Sequence, residues 1–564
     1  MNRQAEFEQL TTQLVWNRLL AMVEEQAQTL MRTAFSTVVR EAGDLSAGVF
    51  DTEGRMLAQA VTGTPGHVNA MAASVGKFLA VHPVSTLKPG DVLLTNDPWD
   101  GTGHLNDFTV VTPVYHRGRC VALFASTSHI ADVGGRGFGP DANDLFEEGL
   151  QIPISFLFRE GRRDETLMAI IARNVRDPVV AEGDLYSLAA CNDTGAAQLI
   201  EMLEDFDLAD LDAPGRDILA LSERAMLDEI AALPAGDYDN RMRIDGYDEP
   251  LDLVCRVSVR ADTIDVDFSG TSPESPVGIN VPLPYTQAYA SFGVRCIVGN
   301  DVPNNAGSLK AVRVSAPEGS ILNARPPRAV SARHAIGQML PDVILGCLDQ
   351  MLPGRVPAEG ASCIWNPVFR NAHAGPDGKD HVSFVTNPIY NGGTGARPGK
   401  DGLSTTAFPS GVRTTPTEVN EVTTPLVIWR REYRVDSAGP GEYRGGLGQT
   451  IEVGHRHDGP FVVSKMFDRV RHPARGRQGG GAGAAGSVQV RHADGTVTDL
   501  RGKGRDEIPA GARLIMETPG GGGMGVVARR DPARVRADVA AGLVSPGAAQ
   551  EQYGIHPDSV ADQE

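Results

Sequence analysis

Two apolar runs enclose a polar loop between Leu93 and Phe108, and possible metal ligands and glycines alternate within that loop. It contains His104 and Asp107, three residues apart. Such a pair would share one face of a helix but point to opposite faces of a strand. Because two glycines precede the pair and residues 108–114 are largely apolar and β-branched, the sequence favours a turn that enters a strand. A turn can direct both side chains toward one point.

A second histidine, His129, stands at the end of the next apolar run, so a pair of strands could bring the two imidazoles together. Imidazole and carboxylate together suit zinc, manganese or iron, whereas calcium and magnesium prefer oxygen ligands alone. No cysteine lies nearby, and a few His and Asp ligands would leave a coordination position for water or substrate, as in a catalytic site. By itself the signal is weak, since 13 histidines in an aspartate-rich chain produce about one His-x-x-Asp pair by accident.

Further motifs follow in order along the chain, without a large gap, from about residue 10 to Tyr553. The segments are Asn96-Asp97-Pro98, His104-Leu-Asn-Asp107, Ser128-His129-Ile-Ala-Asp132-Val-Gly-Gly, Glu147-Glu148-Gly149, Asp267-Phe-Ser-Gly-Thr271, Pro317-Glu-Gly319, Arg444-Gly-Gly446 and Thr518-Pro-Gly-Gly-Gly-Gly523. Together they resemble the hydantoinase B/oxoprolinase family. Such an ordered set of motifs is highly specific.

The resemblance implies a metal-bearing B-type subunit that acts with a separate hydantoinase A-type subunit in a hetero-oligomer. In this family the A-type subunit uses ATP and magnesium to phosphorylate the carbonyl oxygen of the substrate. The B-type subunit then completes hydrolysis or carboxylation. The resemblance assigns the metal ligands of this chain to Asp44, His104, Asp107 and His129, and it implies a divalent cation such as zinc, manganese or iron.

We therefore expect a subunit of an ATP-dependent cyclic amidohydrolase that opens a hydantoin, a lactam or 5-oxoproline. The alternative is a subunit of an ATP-dependent ketone carboxylase of the acetone or acetophenone carboxylase type, which would have the same metal site. The chain looks compact, without the long insertions expected of acetone carboxylase relatives, and this favours hydrolysis. A third interpretation is a non-catalytic subunit whose metal only stabilises the fold.

Two further residues are candidates for the chemistry. Asp132 follows the second histidine by three residues and could act as a general base, although orienting an imidazole is an equally good role for it. His67 could line the pocket or could be a structural histidine with satisfied hydrogen bonds. The sequence assigns no role to Glu147, Glu148 or Arg333.

The charge balance excludes several classes of partner. The chain has 71 acidic and 52 basic residues and a formal net charge of −19, which makes it a poor match for nucleic acid or an anionic membrane. Its six cysteines are scattered without Cys-x-x-Cys spacing, as is typical of small core residues in a reducing compartment. The N-terminus lacks the apolar core of a signal peptide and no run approaches the length of a membrane span, so the sequence predicts a cytoplasmic protein.

The hydrophobic pattern predicts a multidomain protein of mixed α/β (α+β) class. A helical stripe over residues 7–41 leads directly to Asp44, and residues 45–135 alternate short apolar runs with turns around the site. We expect an α/β metal-binding region with a helical segment (1–235), a β-rich and glycine-rich region with an embedded helix at 335–352 (236–530), and a helical arm that docks on a neighbour (531–564).

Three glycine runs, residues 392–395, 479–481 and 520–523, have two interpretations. Backbone nests of this kind bind phosphate, but such runs are more often turns between strands. A P-loop is excluded because Lys400 is followed by Asp401, where serine or threonine is required. The sequence thus predicts no nucleotide site in this chain, which agrees with an ATP-using partner.

Overall fold

The computed structural model describes residues 3–62, 64–372 and 384–556. The chain divides into two compact units: unit 1 comprises Met1–Phe138, Ala142–Asp239 and Cys255–Arg333, and unit 2 comprises Gly139–Asp141, Asn240–Val254 and His334–Glu564. The boundary predicted near residue 235 lies where the helical segment ends. The chain nevertheless returns to unit 1 at Cys255, so residues 255–333, predicted for the β-rich region, belong with the N-terminal part.

Unit 1 is built from nine helices and most of eleven strands within the described residues. The helices are α1 (Arg3–Thr33), α2 (Thr37–Arg40), α3 (Pro65–Val81), α4 (Leu145–Glu148), α5 (Glu165–Asn174), α6 (Pro178–Asp205), α7 (Asp212–Ala231), α8 (Leu283–Arg295) and α9 (Ala306–Leu309). The strands are β1 (Leu45–Phe50), β2 (Met56–Gln59), β3 (Val92–Thr95), β4 (Asp107–His116), β5 (Arg119–His129), β6 (Ser155–Arg159), β7 (Arg162–Arg163), β8 (Gly236–Ile244), β9 (Leu251–Val259), β10 (Ile264–Asp267) and β11 (Val312–Ser315).

A seven-stranded antiparallel sheet, ordered β2-β1-β5-β4-β3-β6-β7, is the centre of unit 1. Its two longest strands, β4 and β5, form a hairpin around Arg117 and Gly118. Both turn residues have positive φ, 48° and 80°, as the two central positions of a type I′ turn require. This hairpin sets the register on which the polar site depends.

Helices cover both faces of this sheet because its strands alternate their side chains between two apolar cores. On β5, Phe124 belongs to the core shared with α1 and α6, whereas its neighbour Leu123 belongs to the core shared with α3. The helical stripe predicted from the sequence is confirmed, since Leu19, Val23 and Leu30 of α1 are fully buried in the first core. Burial of each such side chain stabilises the fold by about 1.5–3 kcal/mol.

A smaller four-stranded sheet, ordered β11-β10-β9-β8, follows the helices. Strands β10 and β11 run parallel, with Ile264 opposite Val312. Strands β8 and β9 contribute residues to both units. Residues 255–333 return to unit 1 because α8 packs along α3 in addition to the pairing within this sheet.

Unit 2 contains five described helices and two further sheets. The helices are α10 (His334–Gly337), α11 (Leu340–Met351), α12 (Thr417–Thr423), α13 (Pro532–Ala540) and α14 (Pro546–Tyr553). The strands are β12 (Val368–Asn371), β13 (Val385–Thr386), β14 (Leu426–Tyr433), β15 (Gln449–His455), β16 (Phe461–Met466), β17 (Ser487–Arg491), β18 (Val497–Asp499), β19 (Lys503–Ile508) and β20 (Arg513–Glu517). They form sheets ordered β13-β12-β16-β19 and β14-β15-β20-β17-β18. Across the described parts of both units, no helix combines the length and apolarity needed to cross a membrane.

The embedded helix predicted over residues 335–352 is two helices, α10 and α11. Pro341 stands in the first turn of α11. A proline lacks the N–H that a helix interior needs but fits the first turn, where that group has no partner within the helix. The second helix therefore begins anew just before this residue.

Four segments of unit 2 pack backbone against backbone, and we call them the glycine bundle: residues 392–395, 439–448, 476–486 and 518–525. They lie outside the regular strands but exchange backbone hydrogen bonds with one another. The Gly521 N–H donates to the Gly446 carbonyl oxygen (3.0 Å), and the Gly439 N–H donates to the Gly521 carbonyl oxygen (2.8 Å). A Cβ atom added at Gly521 would lie 2.0 Å from the Thr394 carbonyl oxygen. Only glycine permits so close an approach.

The glycine bundle corrects the interpretation of two of the three glycine runs. The sequence predicts turns or phosphate nests at 392–395 and 520–523, but the glycines there are buried against neighbouring backbone. In the third run, Gly479 does lie in a turn, with a φ of 93°. The difference arises because a glycine run has the same sequence whether it turns or packs.

The predicted C-terminal arm packs on unit 2 through α13 and α14. Val535 of α13 is buried in a small apolar core. The Asp538 carboxylate accepts hydrogen bonds from the guanidinium groups of Arg444 (3.1 Å) and Arg530 (2.5 Å). Buried charges of this kind are stable only when paired, so the helices are held to their own chain instead of a neighbour.

Candidate metal centre

The hairpin register brings two of the predicted ligands face to face. Strand β4 begins at Asp107 and β5 ends at His129, and these residues are directly opposite each other. Opposed residues in an antiparallel pair project from the same face of the sheet. His104 precedes β4 in the turn that leads out of β3, so the predicted turn and strand pair are both present.

Three polar side chains converge at this end of the hairpin. The His104 Nε2 atom lies 2.6 Å from Asp107 Oδ1, and the His129 Nδ1 atom lies 3.3 Å from the same oxygen. One ligand atom from each residue lies within 4.8 Å of the other two, so the group could hold a metal ion. All three residues are almost completely buried, and the Phe138 ring packs against both imidazoles at centroid distances of 5.5 and 5.0 Å.

The two oxygens of the Asp107 carboxylate have different partners. Oδ1 faces the two imidazoles. Oδ2 accepts hydrogen bonds from Thr102 Oγ1 (2.9 Å), from His67 Nε2 (2.8 Å) and from the Arg333 guanidinium. Burial alone would raise the pKa of Asp107, but His104, His67 and Arg333 hold it well below its ordinary value. The carboxylate is thus ionised and keeps Oδ1 for a cation.

The protons available to His104 also favour a cation. Its Nδ1 atom lies 3.0 Å from the Ser331 carbonyl oxygen, which can only accept, so the ring proton is placed on Nδ1. Burial and the nearby Arg333 charge lower the pKa of His104 to about 4, so the ring is neutral and Nε2 carries a lone pair. That lone pair faces an ionised carboxylate oxygen at 2.6 Å. A cation between the two acceptors relieves the repulsion, so the donor set fits a metal.

Asp44, the fourth predicted ligand, reaches this cluster through His67. Asp44 immediately precedes β1, and its Oδ1 atom accepts a hydrogen bond from Thr64 Oγ1 (2.9 Å) and lies 3.5 Å from His67 Nδ1. His67 stands in the first turn of α3 and also contacts Asp107. Burial opposes protonation of this imidazole, but the charges of Asp107 and Asp44 outweigh it and raise the pKa of His67.

The second residue predicted for the chemistry, Asp132, is engaged elsewhere. Its carboxylate accepts hydrogen bonds from the backbone N–H and the guanidinium of Arg176, and from the Gly134 N–H at 3.2 Å. The structure therefore brings His67 into the cluster and ties Asp132 into an arginine ion pair. An arginine partner favours the ionised carboxylate and restricts its orientation.

The sequence alone does not assign Arg333 to this centre, although it is one of its principal members. The guanidinium donates to the Thr102 carbonyl oxygen (2.9 Å) and to Asp107, and it lies 4.0 Å from the centroid of the Tyr285 ring. This buried cation compensates the buried carboxylate beside it. It follows β4 by more than two hundred residues, and no spacing rule connects the two positions.

The chain matches the sequence profile of the hydantoinase B/oxoprolinase family over residues 8–527. It is 29% identical to the B-type subunit of a D-/L-hydantoinase of Pseudomonas sp. (strain NS671), covering 97% of this chain and 95% of that protein. It is 28% identical to the beta subunit of the caprolactamase of Pseudomonas jessenii, over 97% and 96% of the two chains. The 5-oxoprolinase 1 of Arabidopsis thaliana is 30% identical over 90% of this chain, which spans 41% of that protein's length.

Two solved structures share the fold. The structure of an ATP-dependent caprolactamase from Pseudomonas jessenii superimposes with a TM-score of 0.88 over 98% of this chain and 97% of that one, at 24% identity. A nucleotide-free acetone carboxylase structure superimposes with a TM-score of 0.87 over 98% of this chain and 80% of that one, at 18% identity. The mixed α/β, multidomain fold class predicted from the sequence is confirmed by these matches.

Proposed function

This chain belongs to the hydantoinase B/oxoprolinase family, as its motifs indicated, and on that premise we propose that it is the metal-bearing B-type subunit of an ATP-dependent cyclic amidohydrolase. The observation that carries the proposal is the buried cluster of His104, Asp107 and His129, in which two imidazoles converge on one oxygen of an ionised carboxylate. Two or three such ligands with a position to spare are what a catalytic divalent cation needs.

The names of the relatives support the substrate class and the partner. Hydantoinase, caprolactamase and 5-oxoprolinase are all named for cyclic amides. The hydantoinase and caprolactamase relatives are each named as one subunit, so each belongs to an assembly with another subunit. We assign to this chain an A-type partner that uses ATP and magnesium to phosphorylate the carbonyl oxygen of the ring.

The residues of the centre divide into ligands and proton carriers. His104, Asp107 and His129 would hold zinc, manganese or iron, with Asp44 as a fourth ligand. When bound, a divalent cation supplies Lewis-acid chemistry, polarising a substrate oxygen and acidifying water. The hydrogen bonds to Asp107 Oδ2 prevent the carboxylate from rotating, so its other oxygen stays directed at the imidazoles.

We assign the proton transfer to His67. An amide nitrogen is a poor leaving group, so ring opening needs a proton at that nitrogen as the C–N bond breaks. The raised pKa of His67 and its position between Asp44 and Asp107 suit an acid of this kind. A general-base role for Asp132 stays a prediction, and its ion pair with Arg176 makes it the weaker candidate.

The experiment that tests this function is reconstitution with the A-type subunit. The purified complex is supplied with ATP, magnesium and hydantoins, lactams or 5-oxoproline, and ring opening and phosphate release are followed together with metal content. We expect ring opening that requires both subunits, ATP and the metal of this chain. ATP-dependent turnover that persists after the metal is removed from this chain would contradict the assignment.

Ketone carboxylation is the second candidate because the acetone carboxylase structure shares this fold. The ligand set does not distinguish the two reactions, since a carboxylase would use the same imidazoles and carboxylate. Incubation of the complex with acetone or acetophenone, ATP and isotopically labelled bicarbonate separates them. Label in a keto acid, without opening of any cyclic amide, would establish the carboxylase instead.

A further inference from the structure

Building on the metal centre of the proposed function, we infer that Glu148 is a positioning residue, which holds residues 330–333 in place so that they orient two of the ligands. We call residues 330–333 the clamp segment. Glu148 lies in the single-turn helix α4 of unit 1, and its side chain accepts hydrogen bonds from the clamp segment. Its effect on the ligands therefore passes through that segment.

The Glu148 side chain fastens the clamp segment by two short hydrogen bonds. Its Oε1 atom accepts from the backbone N–H groups of Val330 and Ser331, both at 2.7 Å. The two loops are also joined by a backbone bond from the Leu145 N–H to the Pro327 carbonyl oxygen (2.9 Å). Helix α4 itself is capped by Asp144, whose side chain accepts from the Glu147 N–H at 3.1 Å.

The clamp segment in turn contacts both ligands that lie at the start of β4. The Ser331 carbonyl oxygen lies 3.0 Å from His104 Nδ1 and thereby places the ring proton there and the lone pair of Nε2 toward the centre. Two residues later, Arg333 donates to Asp107 Oδ2 and fixes that carboxylate. One segment therefore sets the tautomer of one ligand and the rotamer of another.

A carboxyl group suits this task because two adjacent N–H groups require one acceptor with two lone pairs. Glu148 is almost fully buried, and its Oε2 atom has no hydrogen-bond partner among the residues that the structure describes. Burial raises the pKa of Glu148 to about 8, although the N–H groups of Ser331 and Val330 oppose the shift. Its neighbour Glu147 differs: it is exposed and pairs with Arg136 and Asn143. Glu147 is therefore a matched control.

The test is the affinity of the full-length chain for Mn²⁺ alone, measured by isothermal titration calorimetry on Glu148→Ala, Glu148→Gln and Glu147→Ala. We expect Glu148→Ala to weaken Mn²⁺ binding by about 10- to 100-fold, the usual effect of losing a group that orients metal ligands. Glu148→Gln keeps an oxygen acceptor at the same position and should bind nearly as the wild type does. Glu147→Ala should match the wild type.

A second measurement separates positioning from general stability. The visible absorption spectrum of bound Co²⁺ reports the geometry of its ligands, so it should change in Glu148→Ala and be retained in Glu148→Gln. If Glu148→Ala is insoluble, Glu148→Asp replaces it, since the shorter side chain withdraws its acceptor from both N–H groups.

The outcomes distinguish this inference from the proposed function. If Glu148→Ala or Glu148→Asp melts at a lower temperature but binds Mn²⁺ and Co²⁺ as the wild type does, Glu148 is only structural and the inference is wrong, while the metal centre stands. If Glu147→Ala loses as much affinity, the effect is not specific to the clamp segment and the inference is wrong as well. If the wild type binds no Mn²⁺ or Co²⁺, the metal centre itself is overturned, and this inference with it.

Discussion

The metal centre of unit 1 and the glycine bundle of unit 2 are both buried and both depend on close contact, but they are built from opposite materials. At the centre, named side chains with particular charges and lone pairs are held around Asp107. In the bundle, the absence of side chains allows carbonyl oxygens and N–H groups to meet directly. The first region specifies chemistry and the second specifies packing, so substitutions in the two regions should damage different properties.

The largest effect should follow from removing a ligand. His104→Ala deletes an imidazole that no neighbour replaces, so we expect ATP-dependent ring opening per folded complex to fall by about a thousandfold or more, as when a preorganised group is lost from an active site. His492→Ala is the matched control, because this imidazole contacts Thr498 in unit 2 and should leave turnover unchanged. Unchanged turnover in His104→Ala, with a lower melting temperature, would mean that the metal is structural.

The next effect tests the bundle. Gly521→Ala would place a methyl group 2.0 Å from the Thr394 carbonyl oxygen, and this oxygen cannot move without its backbone. We expect a loss of about 3 kcal/mol or more in the free energy of unfolding, or insoluble protein. Gly547→Ala in α14 is the control: its nearest atom is Ser545 Oγ at 3.9 Å, so it should change stability by no more than about 1 kcal/mol, in the stabilising direction. Equal stability of the two variants in chemical denaturation would show that the bundle is not tightly packed.

Removal of the metal should have a smaller effect that belongs to the centre alone. A cation that binds only the native state at a hundred times its dissociation constant raises the free energy of unfolding by about 2.7 kcal/mol. We expect EDTA to lower the melting temperature of the Mn²⁺-loaded wild type and of Gly547→Ala by similar amounts. His104→Ala should show little response. An equal response in that variant would place the stabilising cation elsewhere.

The smallest effect, per pH unit, concerns Glu148. Its pKa is raised in the folded protein from 4.5 to about 8, so the stability it contributes is complete below pH 4.5 and declines as the pH rises through about 8. The slope is at most about 1.4 kcal/mol per pH unit. Glu148→Gln cannot titrate, so thermal unfolding from pH 5 to 9 should show the wild type losing stability relative to this variant. A gap that stays constant, as we expect for Glu147→Gln, would contradict the raised pKa.

Features that depend on neighbours in sequence can be predicted well. Steps of three and four residues predict the α1 stripe, and its members are buried as expected. The turn before β4 and the pairing of β4 with β5 follow from glycines and apolar runs, and this pairing is what places Asp107 opposite His129. Local periodicity carries such information because it reports which side chains share a face.

Features that depend on distant segments cannot be predicted from the residues alone. Arg333, Ser331 and Glu148 meet the centre only because a later part of the chain returns to unit 1. The same limit explains the C-terminal helices, whose buried partner Arg444 has no recognisable spacing from Asp538. No period links such positions, so their contacts emerge only when the whole chain has folded.

By itself, the sequence determined the local elements, the ligand types and the turn that carries them, because these depend on side-chain chemistry and on spacings of a few residues. The tertiary structure alone decided which oxygen of Asp107 faces the imidazoles, which nitrogen of His104 carries the proton, and whether a glycine run turns or packs. Those properties depend on what lies across the gap from each residue. A linear pattern does not record the far side of a contact.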